Sequence, residues 1–248
     1  MTRRAAATVV ALTTLALGMG GCSVVEQVPR MPGPAVTGFV PSEAPSPTPS
    51  GTGNLSPDGF EQAQRMAVRV RNVGCSSLST GSGFAIDATT LITNRHVVAD
   101  SAELQVSTYD GRDIAVTASS TAALADLAVV RTAAELPSFP ELAEADPVIG
   151  DAVTVVGYPE GGVLTLTTGE VIGTTRDPLN ENLGEVLVAD AQVEPGSSGS
   201  AVLDADGRVV GVVYAKNAAD QSYIVPVSTL RTLLADDGAF TPTTTCTP

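Results

Sequence analysis

The fold is decided around one stretch, Asp190-Ala-Gln-Val-Glu-Pro-Gly-Ser-Ser-Gly-Ser-Ala-Val-Leu203, which is a Gly/Ser-rich turn between two apolar segments. Gly196 and Gly199 permit a tight conformation around Ser198, because glycine has no Cβ to forbid positive φ. The amides of Gly196 and Ser198 can then point together at a negative charge that develops on a carbonyl oxygen. Taken alone, the stretch is equally typical of an ordinary hairpin turn in a β protein.

Two upstream stretches favour a catalytic interpretation of this turn. His96 is the only histidine in the chain and follows a predicted pair of strands. A serine hydroxyl is a weak nucleophile that needs an adjacent base, so a serine–histidine pair in this chain has to use His96. Asp126 opens an apolar strand with no basic neighbour before Arg131, so its carboxylate needs a donor such as an imidazole N–H. Taken singly, a packed histidine and an aspartate at the start of a strand are both ordinary features.

In the order His96, Asp126, Ser198, these residues resemble the catalytic triad of the trypsin-like serine proteases. The likeness is strongest to the HtrA (Deg) branch and to actinobacterial membrane-tethered periplasmic serine proteases. It runs from about residue 67 to 234 and rests on Gly81-Ser-Gly-Phe84, Thr93-Asn-Arg-His-Val-Val98, Asp126-Leu-Ala-Val-Val130 and Pro195-Gly-Ser-Ser-Gly199. The resemblance implies an endopeptidase that hydrolyses peptide or protein substrates without a cofactor or metal. Ser198 would attack the carbonyl, His96 would carry the proton and Asp126 would orient the imidazole, while the Gly196 and Ser198 amides form the oxyanion hole.

The nucleophile motif departs from the family pattern Gly-Asn/Asp-Ser-Gly-Gly-Pro. Ser197 replaces the acidic residue that pairs with a freed N-terminus in digestive-type relatives, so we expect no activation by cleavage. Ser200 and Ala201 are unusual but small, and they leave open a catalytically weak or inactive binding module at the cell envelope. A chaperone-like protease acting on misfolded proteins is a further alternative. We expect no PDZ domain, because the chain ends about fifty residues after Ser198.

The amino-acid composition and the regular spacing of turn-forming residues predict an all-β fold. The hydrophobic share is 43% but only 4% is aromatic, and Val, Ala, Leu and Ile suit short strands. Strands are predicted from residue 67 and over 82–87, 89–93, 103–108, 113–118, 127–131, 152–157, 163–173, 185–189, 201–204, 208–214 and 222–226, with Gly, Asp, Asn and Pro between them. The resemblance implies two six-stranded antiparallel β-barrels with the active site in the cleft between them, and a short C-terminal helix follows over 227–234. The protease domain is placed at 59–248.

The N-terminus predicts export. Residues 1–22 combine a basic start, an apolar run too short to span a bilayer, and Gly-Met-Gly-Gly-Cys22, which resembles a lipoprotein cleavage site. Lipidation of Cys22 would anchor the chain to the outer face of the cytoplasmic membrane, and ordinary secretion is the alternative. Residues 23–58 form a Pro/Ser-rich linker that cannot bury a core. A net charge of −14 argues against nucleic-acid binding.

The three cysteines predict one disulfide in an exported chain. If Cys22 carries lipid, Cys75 and Cys246 can pair only with each other, and two independent thiols are the alternative.

The substrate pocket is assigned by resemblance alone. Its floor would lie near Gln192 and its walls near Tyr214 and Lys216, although the last two are also compatible with surface strand positions. Because Gln192 is not acidic, selection of Arg or Lys side chains is not supported, and we expect a neutral pocket for small or medium apolar side chains.

Overall fold

The computed structural model describes residues 61–122, 124–179 and 184–246. The predicted signal peptide, Cys22 and the linker over 23–58 lie outside these residues. Within them, no helix is both long enough and apolar enough to cross a membrane. The elements in chain order are α1 (Gln62–Arg65), β1 (Ala67–Gly74), β2 (Leu78–Asp87), β3 (Thr90–Asn94), α2 (Arg95–Val98), β4 (Ser101–Thr108), β5 (Asp113–Ile114), β6 (Val116–Ala122), β7 (Leu127–Thr132), β8 (Ala152–Gly157), a 3₁₀ turn (Pro159–Gly161), β9 (Thr165–Arg176), β10 (Glu185–Ala189), β11 (Ala201–Leu203), β12 (Val209–Lys216), β13 (Ser222–Pro226), α3 (Val227–Ala235) and β14 (Thr241–Pro242).

The C-terminal half forms a closed antiparallel barrel of six strands in the order β10-β13-β12-β11-β8-β9. Its interior is filled by small branched side chains, which include Val153, Val155, Val202 and Val213. The valine-rich sequence explains this packing, because β-branched residues fit the pleated inner face of a small barrel. The helix predicted over 227–234 is confirmed as α3.

The N-terminal half is one antiparallel sheet in the order β14-β6-β7-β3-β2-β1-β4-β5. The alternation predicted in β1 is confirmed, because Val68 and Val70 are buried while Arg69 and Arg71 point outward. The single strand predicted over 113–118 is wrong. The chain instead forms β5 and β6 on either side of Ala115, with β5 at one end of the sheet order and β6 second from the other end.

The C-terminal tail joins the two ends of this sheet. β14 pairs with β6 at Ser120 and Thr121, and the Cys246 amide donates to the Ser101 carbonyl at the start of β4. Cys246 also forms a disulfide with Cys75, across Cα atoms 6.1 Å apart. The tail therefore crosses from β6 to β4, and its pairing with β6 as a strand was not predicted from its Thr/Pro-rich sequence.

The two halves pack through a shared apolar cluster. Met66, Phe84 and Leu127 of the first half meet Val156 and Leu203 of the second, and all five are buried. Burial of this surface fixes one half against the other. The same packing brings strands β2 and β3 against the turn that precedes β11.

Candidate active site

His96 and Asp126 are joined by two hydrogen bonds. His96 lies in α2, directly after β3, and its Nδ1 is 2.6 Å from Asp126 Oδ2. The backbone N–H of His96 donates to the other carboxylate oxygen, Oδ1, at 3.0 Å. Each oxygen of Asp126 therefore holds a different part of His96. The imidazole is fixed in orientation, and its second nitrogen, Nε2, is left as the one that can take up a proton.

The backbone of Asp126 is also fixed by hydrogen bonds. Its φ is +49°, a left-handed conformation that aspartate tolerates better than most residues. Its carbonyl accepts hydrogen bonds from the Arg95 amide at 2.8 Å and from the Asn94 side chain at 3.1 Å. Three consecutive residues, 94 to 96, thus form hydrogen bonds to Asp126, next to the pairing of β3 with β7.

The segment from Glu194 to Ser200 forms a tight turn that requires its second glycine. The Ser197 amide donates to the Glu194 carbonyl, and the Gly199 amide donates to the Val213 carbonyl of β12. Gly199 has φ +87°, and a Cβ there would lie 2.1 Å from the Ser82 carbonyl oxygen. No other residue fits this position, so the glycine predicted from the motif is needed on both conformational and steric grounds.

The two predicted oxyanion-hole amides lie on either side of Ser197 in this turn. Within residues 61–122, 124–179 and 184–246, the N–H groups of Gly196 and Ser198 donate no hydrogen bond, although Gly196 is buried. Buried amides normally have partners, so this pair is suited to an external acceptor. The Pro195 carbonyl accepts from the Glu160 amide at 2.5 Å. Because the peptide is planar, this bond turns the Gly196 N–H to the opposite side.

Gly81 lies next to both Ser198 and α2, the helix that carries His96. A Cβ on Gly81 would lie 2.6 Å from two methyl carbons of Val97 and 3.1 Å from the Ser198 carbonyl oxygen. Val97, the neighbour of His96, and the backbone of Ser198 therefore both pack against Gly81 where a side chain would otherwise lie. The Ser198 hydroxyl makes no hydrogen bond to another described residue in this conformation. Catalytic contacts of this kind often tighten only when substrate binds.

The three residues predicted to line the substrate pocket have different environments. Gln192 is exposed. Tyr214 is only 5% exposed, and its hydroxyl donates to Asp177 at 2.6 Å. Burial, reinforced by this hydrogen bond, raises the pKa of Tyr214. Its predicted role as a pocket wall stays a prediction.

Lys216 forms ion pairs with Glu194 at 2.9 Å and with Asp220 at 3.1 Å. These hydrogen bonds raise the pKa of Lys216. The pair with Glu194 links the end of β12 to the segment that precedes the nucleophile turn. Charge at this position is therefore balanced within the protein.

Two groups around the turn were not predicted. Ser82 of β2 and the 3₁₀ turn after β8 contact the carbonyls of Gly196 and Pro195, respectively. The available signal for Ser82 was a polar residue between two glycines, directly before the apolar segment Phe84-Ala-Ile86. As for metals, no three His, Cys, Asp or Glu side chains within the described ranges gather into a binding site.

Comparison with known proteins indicates the family of the chain. The family model described as a trypsin-like peptidase domain matches residues 81–212, which is more than half of the chain. The chain is 30% identical over 167 residues to a serine protease HtrA-like of Staphylococcus aureus, covering 60% of this chain and 22% of that protein. It is 33% identical over 164 residues to the mitochondrial serine protease HTRA2 of Bos taurus, covering 63% of this chain and 36% of that one. The chain thus spans between about a fifth and a third of these relatives.

Solved structures of serine proteases also resemble this chain. The active form of the Rv3671c protease from M. tuberculosis superposes with a TM-score of 0.66 at 27% identity, covering 75% of this chain and 85% of that one. A serine endoprotease from Yersinia pestis gives 0.62 at 27% identity, covering 70% and 64%. Together with the His96–Asp126 pair and the glycine-bounded Ser198 turn, these matches show that the chain belongs to the trypsin-like peptidase family, in the branch of the HtrA-type serine proteases.

Proposed function

We propose that this chain is an exported serine endopeptidase. Ser198 attacks a peptide carbonyl while His96 takes its proton and later delivers it to the leaving amine. Asp126 keeps the imidazole in the required tautomer, and the Gly196 and Ser198 amides stabilise the oxyanion. The observation that carries the proposal is the double hydrogen bond from Asp126 to His96, which leaves Nε2 as the only ring nitrogen available for proton transfer.

A fluorophosphonate probe tests this mechanism, because it labels only a serine that is activated as a nucleophile. The wild type should be labelled, with the adduct mapped to Ser198, and Ser198→Ala should lose both labelling and peptide hydrolysis while keeping its fold. Ser200→Ala is the matched control, since Ser200 is fully buried and should leave labelling intact. A folded wild type that resists the probe would instead favour the inactive binding module.

The ion pairs of Lys216 support a neutral substrate pocket. With its charge balanced by Glu194 and Asp220, Lys216 is not available to select an acidic side chain, and Gln192 supplies no charge to select a basic one. We therefore propose cleavage after small or medium apolar residues. Profiling of the purified domain against a peptide library tests this specificity, and strong selection for a charged residue before the cut bond would refute it.

Export to the cell envelope is supported by the Cys75–Cys246 disulfide, since such bonds persist in oxidising compartments. A lipid on Cys22 would then hold the domain at the membrane surface. Labelling cells with radioactive palmitate should mark the wild-type protein but not Cys22→Ser. Retention of Cys22→Ser on the membrane would rule out the lipid anchor.

A further inference from the structure

The side chain and backbone of Ser82 contact the nucleophile turn at two points. Ser82 is fully buried in β2. Its Oγ donates to the Gly196 carbonyl at 2.8 Å, and its amide donates to the Ser198 carbonyl at 2.8 Å. A residue of the first half thus holds the carbonyls of the two residues whose amides form the oxyanion hole.

The same hydroxyl also reaches the turn that holds Pro195. Ser82 Oγ accepts a hydrogen bond from the Tyr158 amide at 2.8 Å, two residues before Glu160. The Glu160 amide in turn binds the Pro195 carbonyl. One buried hydroxyl therefore restrains the peptide after Gly196 directly and the peptide before it through Tyr158 and Glu160.

Gly196 is held locally by one backbone hydrogen bond, from the Ser197 amide to the Glu194 carbonyl, which spans Pro195 and Gly196. Its φ is +94°, and a glycine can rotate its flanking peptides through regions closed to other residues. The peptide before Gly196 carries the Gly196 N–H itself, and the peptide after it leads through Ser197 to Ser198, so rotation of either peptide moves an oxyanion-hole N–H out of line. The hydrogen bond from Ser82 Oγ to the Gly196 carbonyl supplies a further restraint from outside the turn.

We propose that Ser82 is a positioning residue that keeps the Gly196 and Ser198 amides directed into the oxyanion hole. It does not touch substrate, and it acts through the two carbonyls that it holds. This inference rests on the proposed function, since it assumes that these amides bind the oxyanion of a reacting peptide.

Ser82→Ala tests the proposal, with Thr132→Val as the matched control. Thr132 is also a buried hydroxyl bonded to backbone carbonyls, those of Thr89 and Ala134, but it lies at the end of β7 remote from Asp126. We expect Ser82→Ala to lower kcat by about 10- to 100-fold with KM nearly unchanged, which is less than the roughly 10²- to 10³-fold loss caused by removing an oxyanion donor outright. Thr132→Val should lose similar thermal stability and keep its kcat.

A peptide boronic acid gives a second readout, because its tetrahedral adduct with Ser198 uses the oxyanion hole. Its affinity should fall in Ser82→Ala in step with kcat, which a merely structural role would not produce. If Ser82→Ala does not fold, Ser82→Cys keeps most of the volume with a weaker donor and should show a smaller loss of the same kind.

The outcomes separate the two proposals. An active wild type, with Ser82→Ala unchanged in kcat and in boronic-acid affinity, overturns this inference alone. A loss that Thr132→Val shares to the same degree also overturns it. A wild type that neither hydrolyses peptides nor reacts with fluorophosphonate overturns the proposed function and this inference together.

Discussion

Replacing Asp126 with asparagine should disable His96 while leaving the fold intact. The backbone N–H of His96 can only donate, so the amide oxygen of the new side chain will face it, as Oδ1 does now. The NH₂ group is then forced toward Nδ1, where a carboxylate oxygen lies at present. Nδ1 becomes an acceptor, the ring proton moves to Nε2, and the imidazole can no longer take the proton of Ser198.

The loss can be estimated from two contributions. A hydrogen bond to a charged group contributes about 1.5–3 kcal/mol. The attraction between the imidazolium and the carboxylate adds about 4 kcal/mol at the effective dielectric of a pair near the surface, which suits a half-exposed His96. Together these give about 5.5–7 kcal/mol, or a fall in kcat of roughly 10⁴-fold or more. The same change in the archetypal serine-protease triad costs about 10⁴, a value that serves here as an independent check.

The assay compares kcat and thermal denaturation of the wild type and Asp126→Asn on one peptide substrate. Asparagine accepts a left-handed backbone, so the melting temperature should hardly change. Asp100→Asn is the matched control, because Asp100 also has a left-handed φ, of +50°, and lies outside the proposed triad. A fall in kcat of less than about tenfold, with the fold preserved, would refute the assignment of Asp126.

Three further changes test the packing. Gly199→Ala should destabilise the fold by at least about 2 kcal/mol more than Gly207→Ala in urea denaturation, because both glycines have positive φ but only the first meets backbone atoms; equal losses would contradict this. Replacing Cys75 and Cys246 by serine should lower the free energy of unfolding by up to about 5 kcal/mol in the chain-entropy model. An unchanged urea midpoint would contradict a stabilising role for the disulfide. Burial raises the pKa of Tyr158 from 10.0 to about 12, so the folded state keeps a proton that the unfolded chain releases. Its stabilising contribution is present below pH 10 and is lost as pH rises to 12, and Tyr158→Phe should flatten the stability curve there; parallel curves would exclude this cause.

Features that depend on neighbouring residues were predictable from the sequence. The alternation of Val68 and Arg69 in β1 reflects the period of a strand, and the need for glycine at position 199 follows from its turn. The order of His96, Asp126 and Ser198 matched a known family, which located the candidate site before any geometry was available. Each of these signals is local, or rests on residue types in sequence order.

Contacts between distant segments were not predictable in this way. The end of the chain has no strand-like periodicity, yet it forms β14, because the edge of β6 offers unpaired backbone groups. The split of the predicted strand over 113–118 at Ala115 likewise depends on which neighbours each half finds, β4 for β5 and β7 for β6.

The sequence by itself therefore determined the types of strand, the glycines of the turn around Ser198 and the candidate residues for the proposed chemistry. Only the tertiary structure decided that Asp126 forms two hydrogen bonds with His96. It also decided that Ser82 donates a hydrogen bond to the carbonyl of Gly196, 114 residues further along the chain. The physical reason is that a hydrogen bond needs its atoms within about 3 Å in a defined direction. That precision arises only when the two halves of the domain are docked by their shared apolar core.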